Sequence, residues 1–317
     1  MPAKFQIHRL TIPEAAAGLR LDQALASSLP QYSRARLQRW IRSGAVLIAG
    51  RAVRPRHAVA GGESVEVQAE FELNTTVEAE ALPLDIVHAD RSLIVLNKPP
   101  GLVVHPGAGN RAHTLQNALL AYDPALAAVP RAGLVHRLDK DTSGLLIVAR
   151  TPEAHTRLVA AMQSREIARE YLALCVGTLT GGGTIDQPIG RHRTQRTRMT
   201  VRRDGRMAVT HYRIAERFAA HTLLQVQLET GRTHQIRVHL AHLGHPVVGD
   251  PEYGGRHRTA RGVDAALATA LRTFGRQALH AQRLTLAHPR SGKRLQFEAP
   301  LPDDFTQLLQ LLRAAST

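Results

Sequence analysis

The hydrophobic positions in the first part of the chain follow a helical period and then a strand period. In LRLDQALASSL, apolar residues recur three and four positions apart, which predicts an amphipathic helix over residues 19–29, ended by Pro30. A second helix is predicted over residues 34–44, with Ser33 as its N-cap and Gly44 at its end. Two short strand-like runs follow, AVLIA and ESVEV. This helix–helix–strand order predicts a small first domain.

From about residue 85 the pattern changes to many short apolar runs of strand character. Strands are predicted for DIVHAD, LIVLNKP, GLVVHP, GLLIVAR, REYLALCVG, MAVTHYRIAERF and TLLQVQLETG, and helices for TLQNALLAY, PEAHTRLVAAMQS and THQIRVHLAHLG. Several strands follow one another without an intervening helix, which favours a large, mainly antiparallel sheet with helices packed against it. The predicted fold class is α+β, with domains at residues 17–75 and 85–312 and a linker at residues 76–84, where the apolar periodicity breaks.

Composition narrows the class of protein. Hydrophobic residues make up 44% of the 317 positions, enough to bury a core. The single cysteine, Cys175, cannot form an intramolecular disulfide, which is typical of a reducing compartment. No apolar stretch has the length that spans a bilayer, and the first residues lack the pattern of a signal peptide. We therefore expect a cytoplasmic monomer that does not bind membranes.

The charge of the chain points to nucleic acid. Lys and Arg together number 41 against 26 acidic residues, for a formal net charge of +15. On the second predicted helix, Arg36, Arg39 and Arg42 recur on the face opposite its apolar residues, and the turn at residues 51–56 adds three arginines. A later run, GRHRTQRTRMTVRRDGR, holds seven arginines and one acid. Either run can be a solvated surface, but we expect both to contact RNA.

The stretch HRLDKDTSG places Asp139 and Asp141 among cations, and its residues leave three alternatives open. DKDT matches the loop of a magnesium-dependent phosphatase, but His136 and Arg137 stand where a buried strand should precede it, and few carboxylates follow. A glycosidase pair needs two carboxylates on either side of one bond, and Lys140 separates these two in sequence. In the third alternative, Asp139 acts alone as a nucleophile.

The same stretch carries a family resemblance. HRLDKDTSGLLIVAR resembles the catalytic signature of the RluA-type pseudouridine synthases, and LNKPPGLVVHPG, REYLAL and LETGRTHQIRVHLAHLGHPVVGDPEYG match that family in the same order. The matches cover nearly all of residues 85–300. RLDQALA followed by SRARLQRWIRSGAVLIAG resembles the S4 RNA-binding domain. The resemblance implies an enzyme that isomerises uridine in RNA to pseudouridine, without a cofactor or a metal.

The resemblance also implies roles for particular residues. Asp139 is expected to be the nucleophile, and Arg237 to pair with it, favour its ionised form and orient it. Tyr171 is expected to stack on the flipped uracil, and Arg137 to fill the gap that the uridine leaves in the RNA helix. Further RNA contacts are expected at Arg34, Arg36, Arg39, Arg191, Arg193, Arg196, Arg198 and Arg232.

The implied partner is 23S ribosomal RNA or the assembling large ribosomal subunit, with a stem-loop near the decoding centre as the target. Two alternatives are a pseudouridine synthase that acts on another ribosomal or transfer RNA site, and a non-catalytic RNA-binding factor in ribosome assembly. Four histidines cluster in the sequence and could indicate a zinc site: His234, His239, His242 and His245. No cysteine or glutamate joins them at ligand spacing, so we expect RNA contact or core hydrogen bonds instead, with Ile236, Leu240 and Leu243 as the buried stripe of their helix.

Overall fold

The computed structural model of the chain describes residues 5–29, 32, 34–70, 77–107, 109–195, 197–254 and 264–315. The chain divides into two compact units, an N-terminal unit of Met1–Thr76 and a C-terminal unit of Val77–Thr317. Each unit has a hydrophobic core of its own. In the described part of the chain, no helix combines the length and the apolar character needed to cross a membrane.

The N-terminal unit packs two helices, α1 (Leu21–Ser28) and α2 (Arg34–Arg42), on a small antiparallel sheet. Across that sheet the order is β1 (Phe5–Thr11), β4 (Ser64–Glu70), β2 (Val46–Ile48) and β3 (Arg51–Ala52). The core joins the apolar faces of the helices, such as Leu25 and Trp40, to alternate residues of β4. Both predicted helices and both predicted strands are present, whereas β1 and β3 were not predicted. Pro30 and Ser33, the expected helix boundaries, lie outside the described residues.

The C-terminal unit is built on one nine-stranded sheet. Its path runs through β5 (Ile86–Ala89), β6 (Leu93–Lys98), β7 (Ser143–Ala149), β14 (Leu279–Ala287), β8 (Ala168–Val176), β13 (His221–Leu228), β12 (Val209–Arg217) and β9 (Gly183–Asp186), and β15 (Arg294–Glu298) pairs with β14. Every pair is antiparallel except β7 with β14. The expected mainly antiparallel sheet is therefore confirmed.

Helices pack against this sheet, and a separate hairpin stands beside it. The helices are α3 (Leu115–Tyr122), α4 (Pro152–Gln163), α5 (Gln235–His242), α6 (Ala265–Thr273) and α7 (Asp303–Ala314); the hairpin is β10 (Ile189–Arg191) with β11 (Met199–Val201). The side chain of Thr114 caps α3 in a capping box with Asn117, and Thr151 caps α4 ahead of Pro152 at its first turn. The three predicted helices are confirmed, whereas α6 and α7 were not predicted.

Two local predictions are wrong. GLVVHP is not a strand, because the chain turns at Gly101, whose φ is +83°, and Val103 makes only a single bridge to Thr114. Leu243 is 39% exposed and does not continue the buried stripe of Ile236 and Leu240, because α5 ends at His242. The short helix leaves the following residue outside the core.

Candidate active site

A cavity of about 580 Å³ opens in the C-terminal unit, between the segment that precedes β7, the start of β8 and the chain leading into α5. Its lining includes the three predicted catalytic residues and two predicted RNA-binding residues: Asp139, Tyr171, Arg237, Arg137 and Arg232. The sequence separates these residues by up to 100 positions, and the sheet brings them together. This cavity is the candidate active site.

Asp139 lies in a turn that leads directly into β7. The Thr142 amide donates to the Asp139 carbonyl at 3.1 Å, and the Thr142 hydroxyl accepts from Gln277 Nε2 at 2.9 Å. At Gly144, where β7 meets β14 in parallel, an added Cβ would lie 2.3 Å from the Ala281 carbonyl oxygen. Only glycine allows this approach, so the start of β7 is held closely against β14 and the Asp139 turn is anchored there.

Lys98, the last residue of β6, holds the same turn through a hydrogen bond to the backbone of Lys140. Its side chain is fully buried, and Nζ donates to the carbonyls of Pro99, Leu102 and Lys140 at 2.7 to 3.0 Å. Burial lowers the pKa of the Lys98 ammonium to about 7, an effect that the nearby Asp141 and Asp139 carboxylates oppose. Lys98 therefore ties the backbone beside Asp139 to the sheet.

Arg237, on α5, contacts Asp139 as expected. Arg237 Nη1 lies 3.0 Å from Asp139 Oδ2, across 98 positions of sequence. The other edge of the guanidinium forms two bonds to Asp250, Nε to Oδ2 at 2.7 Å and Nη2 to Oδ1 at 2.9 Å. Burial works to lower the pKa of Arg237, but its bonds to Asp250 and Asp139 outweigh burial and raise that pKa. Arg237 stays charged and is fixed in orientation.

Asp250 is the fully buried partner that positions this arginine. Its Oδ1 also accepts from the backbone amides of Glu252 and Tyr253 at 2.9 and 3.0 Å. Burial works to raise the pKa of Asp250, but the hydrogen bonds from Arg237 and these amides hold it below its ordinary value. A bidentate pair of this kind fixes the plane of the guanidinium. The direction in which Arg237 meets Asp139 is therefore set by Asp250.

His234 and Tyr253 complete the surroundings of Asp139. His234 has a left-handed backbone, with φ +57°, at the start of α5, and its Nε2 lies 3.8 Å from Asp139 Oδ1. Its Nδ1 lies 2.8 Å from the Tyr253 hydroxyl, and the Arg237 guanidinium lies 5.0 Å from the centre of the Tyr253 ring. A positive φ at a non-glycine residue is uncommon and costs energy, which the contacts of His234 offset.

Tyr171 lies on β8, is 5% exposed, and lines the cavity. Burial raises the pKa of its hydroxyl above the ordinary value; Arg169 opposes this and Asp139 adds to it. The phenol is therefore protonated at neutral pH, and its ring offers an apolar surface beside Asp139. Asp141, by contrast, lines a separate depression with Arg276 and Asp304. This arrangement does not suit a glycosidase pair formed by Asp139 and Asp141.

Arginines surround the cavity. Arg137 is exposed and makes no hydrogen bond or ion pair with any described residue, and Arg131, Arg165, Arg206 and Arg232 line the same cavity. Burial lowers the pKa of Arg232, and the neighbouring guanidiniums of Arg206 and Arg165 lower it further. Like charges held together in this way favour a polyanion as the ligand.

The other predicted RNA-binding residues are spread over both units. Arg198 lies 5.2 Å from the centre of the Tyr253 ring, and Arg191 and Arg193 are exposed at the hairpin beside it. Arg34 and Arg39 lie on the exposed side of α2. Arg196 and the side chain of Arg36 lie outside the described part of the chain.

The histidine cluster is not arranged as a metal site. His239 is fully buried and binds the Thr210 hydroxyl and the Gln187 carbonyl, and His245 Nδ1 lies 2.9 Å from the Val176 carbonyl oxygen. Over the ranges that the structure describes, no group of three His, Cys, Asp or Glu side chains could hold a metal ion.

Sequence reasoning missed several residues of this site. The sequence patterns assigned no role to Asp250 in this site, and they marked His234 only as a possible zinc ligand. Lys98 and Asp250 both stand within stretches that match the family, LNKPPG and VVGDPEYG, so the match itself was the signal that could have marked them. Their contacts, however, join residues that are far apart in the chain.

Comparison with known proteins identifies the class. Residues 92–242 match the family model described as RNA pseudouridylate synthase, and residues 19–65 match the S4 domain. The chain belongs to the RNA pseudouridylate synthase family. It is a pseudouridine synthase, and so an isomerase, with an S4 domain near its N-terminus.

Particular relatives are similar over nearly the full length. A protein of Escherichia coli K12 named "Ribosomal large subunit pseudouridine synthase D" is 54% identical over 305 residues, which cover 96% of this chain and 94% of that protein. A protein of the same name from Xanthomonas campestris is 52% identical, covering 99% and 95%. Among solved structures, human RNA Pseudouridylate Synthase Domain Containing 4 matches with a TM-score of 0.57 and 26% identity over 72% of this chain and 93% of that one.

Proposed function

We propose that this chain converts specific uridines of large-subunit (23S) ribosomal RNA to pseudouridine, with Asp139 as the nucleophile and without a cofactor. The names of the relatives at 52% to 54% identity support the ribosomal substrate. The basic charge of the chain and its S4 domain support an RNA partner, either free ribosomal RNA or the assembling large subunit.

The reaction is a rearrangement within one nucleotide. The N1–C1′ bond of uridine breaks, the uracil rotates, C5 bonds to C1′, and the proton lost from C5 is balanced by one gained at N1. No atom is oxidised or reduced, so the chemistry itself calls for no redox group. Breaking the N-glycosidic bond leaves positive charge on the sugar, which an ionised carboxylate can stabilise or capture.

One observation carries the assignment of Asp139: its Oδ2 is held at 3.0 Å by Arg237, whose other edge is bound by the buried Asp250. A carboxylate with one oxygen fixed in this way presents the other to the cavity. Arg137, exposed at the same cavity and free of protein partners among the described residues, is suited to enter the RNA helix when the uridine flips out.

Asp139→Asn tests the nucleophile. The amide keeps the shape of the side chain but removes its charge, so we expect pseudouridine formation to fall below detection while RNA affinity stays within about threefold. Asp141→Asn is the matched control, since Asp141 lies outside the cavity, and it should retain turnover. Pseudouridine formation by Asp139→Asn at a measurable rate in single-turnover assays on ribosomal RNA would contradict the assignment of Asp139 as the nucleophile.

The target is tested by mapping pseudouridine in the RNA of a strain that lacks the gene. We expect pseudouridines to be missing from 23S ribosomal RNA, in the stem-loop near the decoding centre, and to return with the wild-type gene but not with the Asp139→Asn variant. If pseudouridines were missing instead from transfer RNA or from another site in ribosomal RNA, that site would be assigned as the target. An unchanged map together with a ribosome-assembly defect would favour a non-catalytic factor.

A further inference from the structure

Unpaired polar atoms collect at the active-site cavity. Within the described residues, four buried side-chain nitrogen or oxygen atoms have no hydrogen-bond partner, and three of them belong to residues that line this cavity: His105 Nε2, His136 Nδ1 and Arg169 Nε. Buried polar atoms are rarely left unpaired, because each costs free energy without a partner. Their concentration at one cavity indicates a ligand that supplies the missing partners.

Arg169 is the most unusual of the three. It is 7% exposed, and it forms no hydrogen bond or ion pair with any described residue. The two other buried arginines among the described residues are both bound by carboxylates, Arg237 by Asp250 and Arg276 by Asp304. Gly231 makes room for the group, since a Cβ there would lie 3.0 Å from Arg169 Nη1. Among the described residues, Arg169 is therefore a buried arginine without a carboxylate partner.

His136 supplies a neutral donor near that charge. Burial lowers the pKa of His136 to about 3, and the Arg169 guanidinium contributes to the shift, so the ring is neutral at neutral pH. Its Nε2 accepts from the Ile147 amide at 3.0 Å, which leaves the ring proton on Nδ1. This Nδ1–H is one of the unpaired atoms at the cavity.

The depth of Arg169 and His136 within the cavity determines which part of the RNA can reach them. An RNA strand is continuous, so its phosphates must enter and leave across the opening of the cavity, where exposed arginines such as Arg137, Arg165 and Arg206 lie. The base of a flipped nucleotide is the part that enters furthest. Arg169 and Tyr171 are two residues apart on β8, so their side chains lie on the same face of the strand. Arg169 therefore faces the space that Tyr171 borders.

We propose that Arg169, together with the Nδ1–H of His136, binds the uracil. These two groups stabilise the negative charge that develops on the uracil when the N1–C1′ bond breaks. The electron pair of that bond passes to the uracil, where it is shared by N1 and the carbonyl oxygens. It is consumed when C5 bonds to C1′, and the C5 proton is lost as N1 is protonated. A fixed cation that meets this charge stabilises the transition state more than the neutral base. The inference rests on the proposed placement of the target uridine in this cavity.

Arg169→Met removes the charge and keeps the length of the side chain. On an RNA fragment whose uridine the wild-type enzyme is known to convert, we expect the single-turnover rate to fall about 10²- to 10³-fold, with the dissociation constant within about threefold. On the same fragment with 5-fluorouridine at the target, loss of the nucleoside should be impaired less, because 5-fluorouracil leaves more readily as an anion. Arg169→Lys, which keeps the charge, should retain more turnover than Arg169→Met on the uridine substrate.

A phosphate contact predicts a different result: weaker RNA binding, and an equal fold-loss on uridine and 5-fluorouridine at saturation. That outcome would overturn the inference. Because the wild-type enzyme must first convert the fragment, a wrong assignment of the natural ribosomal target does not enter this comparison. A failure of Asp139 as nucleophile would appear in the Asp139→Asn variant and leave the Arg169 comparison intact.

Stability separates this role from a structural one. A buried charge without a partner destabilises the free protein, so the unfolding midpoint of Arg169→Met should equal or exceed that of the wild type. Arg283→Met is the matched control, because Arg283 lies on the neighbouring strand β14 and binds Glu170 and Glu298. It should lower the midpoint and leave turnover near the wild-type value. A midpoint for Arg169→Met lowered like that of the control would mean that the charge is compensated without substrate, and would contradict the inference.

Discussion

The two units of this chain differ in which charged side chain is buried. In the N-terminal unit a buried carboxylate, Asp22, is bound by Arg20, Arg34 and Gln38, and the two arginines remain partly exposed. Burial works to raise the pKa of Asp22, but the hydrogen bonds from Gln38 and the arginines hold it below its ordinary value. In the C-terminal unit the arginine is the buried partner: Arg237 lies between Asp250 and Asp139, and Arg169 has no hydrogen-bond or ion-pair partner among the described residues.

The difference separates binding from catalysis. A carboxylate buried under partly exposed arginines anchors the arginines while leaving their charge at the surface, where it can attract phosphate from a distance. A buried arginine held by a buried carboxylate has a fixed position and a fixed charge, which a reaction centre requires. The N-terminal unit is therefore expected to contribute affinity, and the C-terminal unit to contribute geometry at some expense in stability.

The largest expected difference between the units is in their response to acid. Burial lowers the pKa of His136 to about 3 and that of His280 to about 4, from an ordinary value of 6.5. Below pH 6.5 the unfolded chain binds protons that the folded chain does not, so the free energy of unfolding falls as pH drops toward about 4. At pH 4.5 the loss is about 2 to 3 kcal/mol for each histidine. The stability that Asp22 contributes persists until the pH falls below the ordinary carboxyl range.

Two signals can follow this difference in the intact protein. Trp40, the single tryptophan of the chain, is buried in the N-terminal unit and reports on it by fluorescence. Far-UV circular dichroism reports mainly on the larger C-terminal unit. In urea titrations we expect the dichroism midpoint to fall between pH 7 and pH 4.5 much more than the fluorescence midpoint. Midpoints that fall together would contradict the assignment of acid sensitivity to the C-terminal unit.

Asp250→Asn should show the next largest effect. It removes the charge that holds Arg237 and leaves a buried arginine with less compensation, so we expect a loss of about 3 kcal/mol of stability. Turnover should fall about 100-fold because Arg237 no longer meets Asp139 in a fixed direction. Asp123→Asn, which breaks the pair with Arg150 outside the cavity, is the control: it should lower the unfolding midpoint and spare turnover. Equal turnover losses in both variants would indicate a general loss of stability.

Removal of the N-terminal unit should act mainly on binding. A chain that begins at Val77 is expected to fold and to turn over bound RNA, with affinity roughly tenfold weaker at moderate salt. In a plot of the logarithm of affinity against the logarithm of salt concentration, the slope should become shallower by about one unit for each phosphate contact that is removed. Affinity measured at several salt concentrations checks this. Identical slopes for the full and shortened chains would assign all phosphate contacts to the C-terminal unit.

Arg137→Ala should have the smallest effect, and one that depends on RNA structure. If Arg137 fills the gap left by the flipped uridine, its loss should slow turnover roughly tenfold on a stem-loop and less than about twofold on an unstructured strand, where no stack is broken. Single-turnover rates on the two substrates decide the matter. Equal losses on both would instead favour a contact of Arg137 with the reacting nucleotide itself.

Local patterns carried much of the fold. The apolar periods predicted α1 to α5, two strands of the N-terminal unit and six strands of the large sheet near the right positions, because both the helical and the strand period are properties of neighbouring residues. They missed β14 and β15, whose residues alternate weakly with charged positions, and α7, which follows them. The prediction of a strand at GLVVHP was wrong because the chain turns at Gly101, and this turn outweighs the strand preference of the apolar run.

The sequence by itself predicted which residues carry the chemistry, since HRLDKDTSG, REYLAL and HQIRVH hold Asp139, Tyr171 and Arg237 in a family pattern. Only the tertiary structure decided how those residues are charged and oriented. Asp250 binds Arg237, and Arg169 has no counter-ion within the described part of the chain, through an arrangement of elements that no local period connects. A residue type sets what a side chain can do, whereas burial and partners distant in sequence set its protonation, its direction and the free energy of its unmet bonds.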